Sequence, residues 1–121
     1  MNMKIAFYDT KPYDKIWFAP LAKEMGIEIQ FLETKLNKDT VRLSKGCDAV
    51  CIFVNDSADK EVIKALEQYN TRAILLRCAG YNNVDVRAAK NKIHVLRVPS
   101  YSPEAVAEYA IGLLLTINRK I

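Results

Sequence analysis

Short apolar runs alternate along this chain with stretches whose apolar positions recur at helical spacing. KIAFY (4–8), IEIQFL (27–32), DAVCIFV (48–54), TRAILLRC (71–78) and IHVLRV (93–98) read as strands. The run at 48–54 is continuous and rich in β-branched residues, which marks a central strand buried on both faces. Between the strands, residues 13–25 predict a helix with Ile16, Trp17, Leu21 and Met25 on one side. Pro20 inside that stretch predicts a kink or a helix in two pieces, and Gly26 a left-handed C-terminal cap. TVRLSKG (40–46) predicts a helix of barely two turns. Residues 59–69 carry Val62, Ile63, Leu66 and Tyr69 at helical spacing, with Asp56 or Ser57 as the cap. VDVRAAKNK (84–92) reads as a short helix. Residues 102–121 form the last one, started by a Ser102 hydroxyl, a proline at the first helical position and Glu104 near the positive end.

Five strands separated by helices, with short connections, predict an α/β fold with a parallel sheet covered on both faces by right-handed crossovers. The expected arrangement is flavodoxin-like and doubly wound, with strand order 2-1-3-4-5. A chain of 121 residues is one domain and can bury a real core. In such sheets ligands collect outside the carboxyl ends of the strands, where loops begin here at Asp9, Asn55, Ala79 and Pro99.

Composition narrows the function classes. Half the residues are hydrophobic, 26% are charged and the net charge is +4, without a basic run of five or more. That distribution argues against nucleic acid as a partner. The opening MNMKIAFYD lacks the apolar core of a secretory signal, and AIGLLLTI (110–117) is too short to span a bilayer. Cys47, Cys51 and Cys78 lie in or beside apolar runs and are expected to be buried free thiols in a reducing cytoplasm. With one histidine and no zinc-type cysteine spacing, no metal site is expected.

The candidate chemistry sits on two loops. In CAGYNNVD (78–85), Gly80 at a strand end lets the backbone approach a ligand closely, and successive N–H groups there can cradle an anion. The same stretch also reads as a plain strand-to-helix turn in which Asn82 or Asn83 caps the next helix. In VPSYSPEAVAE (98–108), Tyr101 sets a phenol on the same edge as Gly80. The glycines fall at 26, 46, 80 and 112, so neither a GxGxxG nor a P-loop can be drawn. No GxSxG occurs, His94 reads as a structural strand residue, and Glu108 has no evident partner. The residues thus support an edge that holds a small anion and no complete catalytic apparatus.

ILLRCAGYNNVD and VPSYSPEAVAE, with the early TKPYDK, the GCDAVCIFVND strand and loop and the terminal AEYAIGLLLTINR, resemble the NAD-dependent D-2-hydroxyacid dehydrogenases. Within them the likeness is greatest to the bacterial fermentative D-lactate dehydrogenases. The resemblance implies residues 1–101 of a substrate-binding domain and residues 102–121 as the start of an interdomain helix. The Rossmann domain that binds NAD is implied to lie outside this chain. So are the family's catalytic arginine, glutamate and histidine, none of which is reassigned to Arg77, Glu108 or His94. For a small 2-oxo acid such as pyruvate, the resemblance implies that the backbone at Ala79 and Gly80 receives the carboxylate. Tyr101 adds a side-chain contact, Phe53 lines the pocket beside the methyl group, and Val106 faces the nicotinamide. Tyr109 departs from the histidine often found in close relatives.

These implications lead to a chain inactive alone. An apolar patch on its last helix is expected to be covered by a second copy or by neighbouring molecules. The competing reading is a stand-alone module that binds a small carboxylate and acts through a partner. A receiver-like domain fits less well, because the paired acid and the lysine it needs are not in place.

Overall fold

A computed structural model of the chain describes residues 3–77, 83–98 and 102–119. Five parallel strands, β1 (Lys4–Phe7), β2 (Glu28–Phe31), β3 (Ala49–Ile52), β4 (Ala73–Leu76) and β5 (His94–Arg97), pair in the order β2-β1-β3-β4-β5. This is the flavodoxin-like order expected. The central β3 and β4 are buried at every residue, whereas the edge strands β2 and β5 are exposed at alternate or terminal positions.

The pleat divides the core in two. On one face, Ile5, Phe7, Cys51 and Leu75 pack with Phe18 and Ala22 of α1 (Pro12–Met25) and with Ala110, Ile111 and Leu114 of α4 (Pro103–Arg119). On the other, Val50, Ile52, Ile74 and Leu76 meet Val62, Ile63 and Leu66 of α2 (Lys60–Gln68), while α3 (Val86–Ala89) contributes Ala89. A 3-10 turn, Val41–Ser44, replaces the short helix expected at 40–46.

Helix α1 departs from its expected register. Its buried residues are Asp14, Phe18 and Ala22, an i, i+4, i+8 row, while Ile16, Trp17 and Met25 are exposed. Two contacts set that choice. The Phe18 ring packs edge-on to Phe7 at 4.7 Å, and Asp14 is drawn inward to Arg77. Pro20 lies within a single helix, on its exposed side. Gly26 closes α1 at φ 72°, the left-handed cap expected of it.

The cap residues also shift. Asp59, not Asp56 or Ser57, accepts the Val62 N–H at the start of α2. Asp85, not Asn83, accepts the Ala88 N–H at the start of α3, and Asn82 lies outside the described residues. Ser102 does start α4, accepting the Ala105 N–H at 3.2 Å. No helix among the described residues is long and apolar enough to cross a membrane.

Candidate functional site

The carboxyl ends of β1, β3 and β4 meet in a buried polar junction. Arg77, the residue after β4, is 5% exposed, and its N–H donates to the Ile52 carbonyl at 2.9 Å. Its guanidinium donates from Nη1 to Asp14 Oδ2 at 3.0 Å, and from Nη2 to the Tyr8 and Asp9 carbonyls. The same carboxylate oxygen of Asp14 accepts the Lys11 N–H at 2.7 Å, so one acid both starts α1 and neutralises the arginine. The guanidinium carbon lies 4.2 Å from the Phe7 ring centroid and 5.1 Å from that of Phe53, within cation–π range of both.

Asp9 turns the chain out of β1 in the left-handed region, at φ 51°. Its Oδ1 meets Lys11 Nζ at 3.0 Å and raises the lysine's pKa. Its Oδ2 is buried without a hydrogen-bond partner among the described residues.

Phe53, the first residue beyond β3, is half-buried and held by its main chain. Its N–H donates to Asp56 Oδ2 at 2.6 Å, and its carbonyl accepts from Asn83 Nδ2 at 2.9 Å. Asp56 is 2% exposed and accepts a second N–H, from Leu36, at 2.6 Å. Burial pushes its carboxyl above the ordinary value, and the two N–H donors offset this only in part. Asn83 Nδ2 also reaches the Asp56 carbonyl at 3.1 Å, and its own carbonyl accepts the Ala58 N–H.

Of the residues predicted for a site, Phe53 is therefore on the expected edge. Val106 is half-buried one turn into α4, where it packs against the core around Phe7, Phe18 and Ile111. Ala79, Gly80 and Tyr101 lie outside the described residues, as does Cys78. Cys47 and Cys51 are buried free thiols, and burial raises both, Cys51 to about 12. His94 is exposed at the start of β5, at the opposite edge of the sheet, beside an open cavity of about 460 Å³. That cavity is lined by the loops entering β4 and β5, away from the carboxyl ends where a doubly wound sheet binds its ligands. Its cations are already matched, Arg72 with Asp48 and Lys92 with Glu67.

Sequence reasoning missed Asp14 and misread Asp56 and Asn83 as helix caps. Asp14 and Asn83 act across the fold, 63 residues from Arg77 and 30 from Phe53, while Asp56 is three residues from Phe53 and reaches Leu36, 20 residues away. Among the described residues no group of three or more histidine, cysteine, aspartate or glutamate side chains could hold a metal ion. No glycine-rich dinucleotide turn occurs in the sequence, so these residues do not fit a nicotinamide cofactor site of their own.

Comparison with known proteins gives this edge its context. The profile of the D-isomer specific 2-hydroxyacid dehydrogenase catalytic domain matches residues 5–116. The chain is 48% identical over 120 residues to D-lactate dehydrogenase of Escherichia coli K12, covering 98% of itself and 36% of that protein. It superposes on the apo-structure of Escherichia coli D-lactate dehydrogenase with a TM-score of 0.78 at 47% identity, over 98% of itself and 38% of that chain. Against D-lactate dehydrogenase with NAD+ from Lactobacillus jensenii, the TM-score is 0.73 at 32% identity, over 98% of this chain and 36% of that one. The chain thus spans little more than a third of the length of these relatives.

Proposed function

The chain belongs to the D-isomer specific 2-hydroxyacid dehydrogenase family, and on that premise we propose that it is the substrate-binding portion of an NAD-dependent D-lactate dehydrogenase. Residues 1–101 make up the substrate-binding domain and residues 102–121 begin the helix that leads to the cofactor domain. The carboxylate of a small 2-oxo acid, pyruvate in the first instance, is received on main-chain N–H groups at Ala79 and Gly80. Tyr101 adds its phenol, Phe53 walls the methyl group and Val106 faces the nicotinamide.

The observation that carries this reading is the anchorage of Phe53. Its N–H and carbonyl are both tied by buried polar groups, at the carboxyl edge where this fold binds ligands. A wall held in this way supplies positioning, which is worth more to a reaction than its modest binding energy suggests. NADH, held by the complete enzyme, would supply the hydride and leave as NAD+. This chain's residues bind and orient the oxo acid and exclude water from it. Among the described residues, neither His94 nor Glu108 is one of those that grip Phe53. The surface that further polypeptide or a second copy would cover belongs to α1 as much as to α4. Among the described residues, Tyr13, Ile16, Trp17 and Met25 of α1 and Tyr109 of α4 are exposed.

The test has two arms. The isolated chain mixed with pyruvate and NADH is expected to show no oxidation of NADH above the blank, and clear turnover would contradict the reading. Titration with oxamate is expected to shift the amide signals of residues 79–81 saturably; their indifference would contradict it equally.

A further inference from the structure

We propose that Arg77 is a positioning residue that fixes the ring of Phe53, and thereby sets how large a 2-oxo acid the edge accepts. The inference rests on the substrate reading above for its consequence, but not for its geometry. Asp56 and Asn83 hold the main chain of Phe53, and neither bond restrains the ring. The described cation over that ring is the guanidinium of Arg77, 5.1 Å from its centroid. The guanidinium itself cannot drift. Asp14 holds Nη1, the Tyr8 and Asp9 carbonyls hold Nη2, and the Phe7 ring lies 4.2 Å away on the core side.

A lysine could keep the charge opposite Asp14. It could not present a plane to two rings or reach the β1 carbonyls at the same time. Nε of Arg77 is buried with no hydrogen-bond partner among the described residues. Besides its bonds to Asp14, Tyr8 and Asp9, the placement of this side chain secures the pair of ring contacts. A ring so held presents one face to the pocket. A ring released from the guanidinium sweeps a wider volume and leaves room for one more methylene.

Arg77→Lys in the full 121-residue chain tests the assignment, with selectively labelled phenylalanine read by aromatic NMR. The Phe53 ring signals are expected to shift and broaden more than those of Phe31, which lies one ring beyond Phe7 from the guanidinium. Dissociation constants for pyruvate and 2-oxobutanoate, titrated in parallel, are expected to converge by roughly tenfold relative to the parent, the scale of one methylene in an apolar pocket. A folded Arg77→Lys chain with unchanged Phe53 signals overturns the proposal, as does unchanged selectivity in a chain that binds both acids. If the parent chain binds neither acid, the substrate reading falls and the Phe53 signals alone decide the role of Arg77. Should the variant fail to fold, the parent decides it: Overhauser contacts between the Arg77 side chain and the Phe53 ring are required, and their absence overturns the proposal.

Discussion

At the entrance edge of the sheet, where β1 to β5 begin, the charges pair in water. Lys4–Glu28, Arg72–Asp48 and Lys92–Glu67 span 3.4–3.7 Å, and their side chains keep between a quarter and two thirds of their exposure. At the exit edge the same chemistry is placed inside the protein. Asp9, Asp14, Asp56 and Arg77 are each no more than 5% exposed, and the Arg77–Asp14 pair closes to 3.0 Å. Two edges of one sheet, built from the same residue types, therefore do different work. Exposed pairs are screened and contribute little, whereas a buried charge is tolerated only if its partner and its hydrogen bonds are all in place. The exit edge accepts that cost in exchange for a fixed geometry around Phe53.

Breaking the buried pair should produce the largest effect. Asp14→Ala or Arg77→Met leaves one charge uncompensated in the interior, and either is expected to cost about 3–5 kcal/mol. Urea unfolding followed by far-ultraviolet circular dichroism measures it; a loss below about 1 kcal/mol would place the pair in the exposed class.

Asp56 comes next, with a dependence on pH. Its folded-state pKa is raised by burial above the ordinary 3.8, so the folded chain favours its protonated form. The stability this adds is complete below the ordinary pKa and is lost as pH rises through the raised one. Asp56→Asn removes the titration and leaves one backbone N–H unpaired, at a cost of about 1–3 kcal/mol. The gap between parent and variant should narrow as pH climbs from below the ordinary carboxyl value through the raised one. A gap that widens would reverse the assigned sign.

The smallest effects belong to the entrance edge. Lys92→Ala and Lys4→Ala should each change stability by less than about 1 kcal/mol, and added salt should shrink even that. Losses comparable to those at Asp14 would erase the distinction between the edges.

How much of this could be read in the chain follows from how local each feature is. The buried runs around Val50 and Ile74, the cap at Gly26 and the helix start at Ser102 are written in adjacent residues, and each forms as expected. The fold follows from their order. The inward face of α1 is another matter. Ile16 and Trp17 look like core residues, yet Asp14 and Phe18 take the inside because their partners Arg77 and Phe7 come from distant strands. Asn83 likewise acts at a distance, and both it and Asp56 are residue types that suit a helix cap. Their actual partners are the main chain of Phe53, and for Asp56 also that of Leu36. Pairing across the fold carries no periodic signal, so the residues that organise the exit edge were the hardest to see.

The central claim is that the exit edge, and not the entrance edge, receives a 2-oxo acid. Titrating the nitrogen-15-labelled chain with oxamate, against acetate as the control for bulk ionic effects, tests it most directly. The account predicts saturable shifts confined to Phe53, Asn83, Tyr101 and residues 78–82, with Lys4, Asp48, Arg72 and Lys92 unmoved. Shifts centred on Arg72, Lys92 and His94, or equal responses to oxamate and acetate, would contradict it.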